Sequence, residues 1–222
     1  MNSPASALRD RLLDALLEIA PDRGWTSLAI KEAAKAAGMS DGEAALAAPR
    51  GPVDMIDAMA DRADQHMLRE LAARDLPAMK VRERVTLAVR LRIEALADHK
   101  RSAQRATAHL ALMRDAGTAG RLTWRSADRI WRALGDTSTD ENYYSKRAIL
   151  AAVITSVIGI WLMDDSVAQQ RTWSFLDARI ENVMQFERVK AKLKPFGLIG
   201  LQALGALASA RYRWQQPASD PA

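Results

Sequence analysis

Apolar residues recur at helical spacing along most of the chain. Leu8, Leu12, Leu13, Leu16, Leu17 and Ile19 follow that period, and Pro21 with Gly24 marks the end of the helix they predict. A second helix is predicted over 28–37, a turn at Gly38, and a short third helix over 41–47. Ser40 is placed to cap that third helix, with Glu43 three residues later completing a capping box. Pro49, Gly51 and Pro52 break the chain before a long helix over 53–75. Beyond Pro77 the spacing predicts helices over 81–98, 101–115, 123–134, 143–163 and 167–186, the last continuing towards Lys194. Pro195 opens a final helix over 196–213. Runs of strand-favouring Val, Ile and Thr are scarce, so the expected fold is all-α. Three segments follow: a helical head over 1–76 with a helix-turn-helix in its middle, a helical body over 77–194, and an amphipathic helix with a polar tail over 195–222.

The most apolar stretch is "AILAAVITSVIGIWLM", Ala148 to Met163, 16 uncharged residues between Lys146-Arg147 and Asp164-Asp165. At 1.5 Å per residue it spans about 24 Å, short of the roughly 30 Å hydrocarbon core of a bilayer. A helix apolar on every side is expected at the centre of a bundle. Two readings of it stand side by side. Its small and β-branched side chains are ordinary core. Alternatively Ala151, Ala152, Thr155, Ser156 and Gly159 leave room beside Ile154, Ile158 and Trp161 for an apolar ligand.

Composition narrows the chemistry. The chain has no cysteine, which excludes disulfides, thiolate metal sites and Cys nucleophiles. His66, His99 and His109 show no ligand-like spacing, no Glu-x-x-His pair is present, and phosphate-loop, dinucleotide and nucleophile-elbow motifs are missing. Asp164-Asp165 reads as a helix end and a turn rather than an acid and base pair. The expectation is a protein with no catalytic residues, no metal and no cofactor, and therefore not an enzyme. The N-terminus shows no basic region followed by an apolar one, and its acids argue against a transit peptide.

The net charge of +5 is unevenly spread. Residues 1–75 hold 9 Lys and Arg against 13 Asp and Glu, whereas residues 76–222 hold 23 against 14. An anionic partner is expected at the C-terminal part. "RDRLLDALLEIAPDRGWTSLAIKEAAKAAGMS", followed by an all-helical body, resembles the tetracycline-repressor family of regulators. A reader of DNA needs bases on the second helix of its motif. Here that helix is "SDGEAALAAP", with two acids and no base, so the helix-turn-helix is degenerate and no nucleic-acid partner is expected.

"GDTSTDENYYSKRAILAAV", with "DDS" and "TWSFLDARIENV" after it, is similar to the signature of the ninth Coq protein family, accessory proteins of ubiquinone biosynthesis. The likeness runs from about Val81 to the C-terminus, and the degenerate head fits it. It implies a tetracycline-repressor-like bundle that forms a homodimer, binds an isoprenoid quinone precursor or other lipid, and presents it to a partner hydroxylase. The lipid residues it favours are Ile154, Thr155, Ile158, Gly159 and Trp161. It maps the partner patch onto Ile130, Asp140, Asn142, Tyr143 and Tyr144. Independently of the likeness, adjacent helical residues point about 100° apart, so at least one of the two tyrosines is expected to be partly exposed. In "TWSFLDARI", Trp173 shares a face with Leu176 and Ile180 and is expected in the core.

The C-terminus alternates cation and apolar residue at Arg188-Val189-Lys190 and Lys192-Leu193-Lys194, then runs uncharged from Pro195 to Ala210. Lys190, Lys192 and Lys194 suit an anionic membrane surface, and Phe196, Leu198, Ile199, Leu201 and Leu204 its acyl boundary. Docking on the body or exchange in a dimer is the alternative for this helix. These features together lead to an expected place on the inner face of a bacterial cytoplasmic membrane. The rival function is a ligand-responsive transcriptional regulator of the tetracycline-repressor type.

Overall fold

The computed structural model describes residues 4–113, 115–138, 141–183 and 185. The chain divides into two compact units, residues 1–178 and 179–222. In the second, the Gln185 amide donates to Glu181 at 3.4 Å. Every described element is helical: α1 (Pro4–Arg23), α2 (Ser27–Ala36), α3 (Asp41–Ala47), α4 (Pro52–Ala72), α5 (Val81–Glu94), α6 (Lys100–Leu112), α7 (Ala116–Ala133) and α8 (Glu141–Leu162). A ninth helix, α9, begins at residue 170 and runs to 183. The all-α expectation holds.

Local chemistry sets most of the boundaries. Ser40 and Glu43 form the expected capping box, with Ser40 N–H donating to Glu43 Oε2 at 2.8 Å and Glu43 N–H to Ser40 Oγ at 3.3 Å. The helix-turn-helix bends at Gly38, whose φ of +62° is left-handed, and Met39 N–H reaches back to the Ala34 carbonyl at 2.8 Å. α7 begins seven residues before its expected start. Gly117 and Gly120 disguise this first turn, but Asp115 caps it by accepting from Thr118 N–H at 2.9 Å. The helix expected over 81–98 stops at Glu94, and a short 3-10 turn, Ala97–His99, leads into α6.

The head is joined to the body by buried polar contacts as well as apolar ones. Trp25, 1% exposed, donates its indole N–H to the Ser102 carbonyl on α6 at 2.8 Å. Ser102 Oγ donates in turn to the Leu17 carbonyl on α1 at 3.3 Å. Leu12, Leu13, Leu16 and Trp25 have essentially no exposed surface, so α1 is the spine of the head.

Behind α4 a charged network ties three helices together. Asp64 on α4 is fully buried and accepts from Arg92 Nε on α5 at 2.8 Å, Ser126 Oγ on α7 at 2.7 Å and Arg129 Nη1 on α7 at 3.1 Å. Two turns towards the N-terminus of α4, Asp57 receives Arg121 at 3.0 Å and Arg125, both from α7.

α8 departs from its expected central place. Only 39% of its most apolar window is buried, and Ala148, Ala152, Thr155, Gly159 and Met163 form an open face at steps of three and four residues. Its other face packs on α7, and α6 meets its C-terminal end, where Lys100 Nζ and Gln104 Nε2 donate to the Asp164 and Leu162 carbonyls at 2.5 and 2.6 Å. Trp173 is likewise half-exposed rather than core. The Arg90 guanidinium lies 4.8 Å from the centre of its ring, and the Trp173 indole N–H donates to the Ala168 carbonyl at 3.1 Å.

Because removing one partner leaves a buried charge uncompensated, Asp64→Ala is expected to lower stability by roughly 3–5 kcal/mol. Urea unfolding followed by circular dichroism checks this; a loss below about 1 kcal/mol would show the network to be dispensable.

Candidate functional site

Two features stand out on the body. The first is an apolar cavity of about 770 Å³, open to solvent on one side and lined by α4, α5, α6, α7 and α8. Its existence follows from side-chain size. On α6 the wall is Ala103, Ala106, Thr107, Leu110 and Ala111, and on α7 it is Ala116, Ala119, Gly120 and Thr123. Both stripes keep helical spacing, and both are made mostly of residues too small to fill the space between helices. α8 contributes Thr155, Ile158, Gly159, Trp161 and Leu162; α4 contributes Ile56, Met59 and Ala60; α5 contributes Arg92. The volume falls in the range of small-molecule sites, and its apolar lining is suited to an apolar guest.

Four of the five residues expected to meet lipid, Thr155, Ile158, Gly159 and Trp161, therefore share one wall. The fifth, Ile154, is fully buried and is not among the lining residues, because its position on the helix turns it into the packed side. The α6 and α7 stripes and Arg92 escaped the sequence reading. The two stripes carry a signal on each helix, small residues at i, i+3, i+4 and i+7, whereas Arg92 carries none.

The second feature is the corner between α7 and α8. Gly135, at φ +81°, ends α7 in a Schellman turn, with Gly135 N–H to the Arg132 carbonyl at 3.0 Å and Asp136 N–H to the Trp131 carbonyl at 2.9 Å. That turn brings Asp136 under α8. Arg147, 1% exposed, donates Nη1 to Asp136 at 3.1 Å and Nε to Asp128 at 2.7 Å. Lys146 Nζ reaches Asp136 at 2.8 Å and lies 5.5 Å from the Trp131 ring. Tyr143 belongs to this clamp: its hydroxyl donates to Asp128 at 3.2 Å and its ring lies 3.5 Å from the Arg147 guanidinium.

Tyr144 does not join the clamp. It is 65% exposed, edge-on to Tyr143 at 5.1 Å and tilted against Trp124 at 6.5 Å. The expectation that one of the two tyrosines is exposed is met, and the exposed one is Tyr144. Ile130 is fully buried beneath the corner and has no surface to offer a partner. Asp140 and the side chain of Asn142 lie outside the described residues, as do Lys190, Lys192, Lys194, Phe196, Leu198, Ile199, Leu201 and Leu204.

Electrostatics keep the corner ionised. Burial raises the Asp136 carboxyl, but hydrogen bonds from Lys146, Ser138 and Arg147 outweigh it and bring the value from 3.8 down to about 2. Asp164, at the end of α8, is held well below the usual carboxylate range by hydrogen bonds from Ser166 and Thr172. It accepts both N–H groups and both hydroxyls of that pair and so builds the turn into α9. A further cleft of about 820 Å³ between α1 and α4 is lined by charged side chains, several of them already paired, such as Arg50 with Asp54 and Arg62 with Asp14. Among the described residues no group of three or more His, Asp or Glu is placed to hold a metal ion.

The COQ9 family model matches residues 116–187, a segment that contains the whole corner and the α7 and α8 walls of the cavity. The mitochondrial ubiquinone biosynthesis protein COQ9 of Rattus norvegicus is 28% identical over 203 residues, covering 89% of this chain and 65% of that protein. The human protein of the same name is 28% identical over 204 residues, covering 89% and 64%. The chain thus spans just under two thirds of the length of these relatives. A TetR transcriptional regulator from Nitrosomonas europaea has a TM-score of 0.64 at 20% identity, covering 79% of this chain and 97% of that one; this likeness shows the fold alone. The resemblance to the ninth Coq protein family and the tetracycline-repressor-like fold are both shown. The relatives are mitochondrial proteins, which overturns the expected place on a bacterial cytoplasmic membrane.

The depressed Asp136 carboxyl fixes the sign of a pH effect. Its charged form is favoured by folding, so its contribution is present above its unfolded value near 3.8 and is lost as pH falls towards 2. Asp136→Asn is expected to cost roughly 1–3 kcal/mol at pH 7, with the gap to the native protein closing between about pH 4 and pH 2. Thermal melts across that range check it, and a gap independent of pH would contradict the assignment.

Proposed function

We propose that this protein is a non-catalytic accessory protein of ubiquinone biosynthesis that binds an isoprenoid quinone precursor or related lipid and presents it to a partner hydroxylase. The observation that carries this reading is the apolar cavity, walled by small residues of α6 and α7 and by Thr155, Ile158, Gly159 and Trp161 of α8. The COQ9 likeness supplies the pathway, since the relatives are named for it. A polyprenyl tail is too insoluble to cross water unaided, and a cavity of this volume shields part of it.

The corner supports a docking role. Arg147, Asp128 and Asp136 hold Tyr143 rigidly, and Tyr143 and Trp124 flank the exposed Tyr144. Aromatic anchors on a fixed base are the usual makings of an interface. Residues 190–204 carry the cations and apolar side chains for contact with an anionic membrane surface, and a homodimer completes the reading.

The regulator reading draws on the same fold but finds little on α3. That helix exposes Asp41, Gly42, Ala45 and Leu46, none of which donates a side-chain hydrogen bond to a phosphate or a base edge at neutral pH. A salt-sensitive shift of promoter DNA by the purified protein would favour it instead.

A Cβ added at Gly120 or Gly159 meets no atom within 4 Å. Gly120→Phe and Gly159→Phe should therefore fold while filling the cavity. Lipid extracted from the native protein and identified by mass spectrometry is expected to be a polyprenylated quinone precursor at near-stoichiometric amount, and the two variants should lose it. Bulk phospholipid alone, or equal cargo in the variants, would remove the reading.

The corner has a separate test. Tyr144→Ala should weaken hydroxylase binding by roughly tenfold or more while cargo is retained. Unchanged affinity by calorimetry would place the docking surface elsewhere.

A further inference from the structure

We infer that the ligand of the apolar cavity carries a hydrogen-bond-accepting oxygen at its polar end, and that Arg92 and Trp161 supply the donors that receive it. The inference rests on the lipid-binding reading above and concerns the polar end of the molecule that fills the space.

Thr107, Thr123 and Thr155 each donate their hydroxyl to a carbonyl of their own helix, at 3.0, 3.2 and 2.8 Å respectively. Asp115 accepts from Thr118 as the cap of α7. These groups are occupied by the fold itself.

Arg92 and Trp161 are not fully occupied. Arg92 is 3% exposed, and its Nε is committed to Asp64 at 2.8 Å and Ser126 at 3.0 Å. Its Nη1 is buried with no acceptor among the described residues, and the same holds for Nε1 of the fully buried Trp161. Buried donors without partners are rare in folded proteins because each has given up water for nothing. Here two of them belong to residues lining one cavity.

Guanidinium and indole nitrogens can only donate. The missing partner is therefore an acceptor, a carbonyl, phenolic or carboxylate oxygen, and a pure hydrocarbon would leave both donors unmet. Asp64 holds Arg92 by its Nε edge, which fixes the guanidinium before any ligand arrives and reduces the ordering cost of binding.

The test compares two probes with the same tail, 2-decyl-1,4-benzoquinone and decylbenzene, titrated against the full chain by quenching of tryptophan fluorescence and by shift in melting temperature. The native protein should bind the quinone roughly tenfold more tightly than the hydrocarbon, about the worth of one well-made hydrogen bond in a desolvated site. Trp161→Phe keeps an aromatic ring in the wall and should narrow that preference severalfold with hydrocarbon binding retained, read by the melting shift. Arg92→Lys keeps a positive charge beside Asp64 and should also narrow it.

Equal affinity of the native protein for both probes would overturn the donor role and leave the apolar cavity standing. A preference that survives in both variants would overturn it too. Binding of neither probe would remove the cavity reading and this inference together.

Discussion

The fold of the body depends on one buried carboxylate. Asp64 has no exposed surface, yet it faces Arg92, Arg125 and Arg129, with Arg125 Nε 3.7 Å away and the others at hydrogen-bond distance. A lone charge in that position would be untenable, and a lone arginine beside it would be little better. Together they fix α5 and α7 against α4 in one register, because a guanidinium's fork tolerates little rotation about its partner. The register matters for what lies beside it. Arg92 and Leu122 also line the cavity, so the ion pair that clamps the helices also sets the place of the cavity's polar edge.

α7 carries that constraint to the corner. One side of the helix presents Arg121, Arg125, Ser126 and Arg129 to the aspartates of α4, while another presents Trp124, Asp128 and Trp131 to α8. The same 18-residue helix therefore anchors the cavity wall and the tyrosine corner. Its match to the COQ9 family model, which begins at residue 116, covers both faces at once.

How much of this was legible in the sequence depended on how local each cause was. The Ser40 and Glu43 box, the Gly38 turn and the ends of α3 were read directly, because the residues that make those features lie within a few positions of each other. The start of α7 was not, because Gly117 and Gly120 lower helix propensity there and mask the Asp115 cap, while Arg121 in the next turn is held by Asp57 of α4, far away in sequence. Arg92 was invisible for a similar reason. In "VRERVTLAVRLRIE" it is one arginine among four, and only the position of Asp64, 28 residues earlier, distinguishes it from a solvated one. Ile130 was expected on the partner surface and Ile154 at the lipid site, and the rotation of each helix turns them into the packed core instead. The cavity itself arises from what three helices lack in side-chain volume, and spacing on a single helix cannot reveal an absence shared among several.

On the proposed reading, α8 also relates the two features in space. Tyr144 and Thr155 are 11 residues apart on one helix, a separation of about 16 Å along its axis. A partner seated at the corner therefore does not touch the cavity directly. Between them runs the exposed face of Ala148, Ala152 and Thr155, continued by Gly159, a row of small side chains along the helix. Large side chains there would bury α8 more fully and make a better core. Their absence weakens packing, and on the proposed reading the row of small residues would link the cavity to the corner. A bundle that only needed stability would have filled that face. One that must pass a long apolar molecule to a neighbour has a physical reason to keep it open.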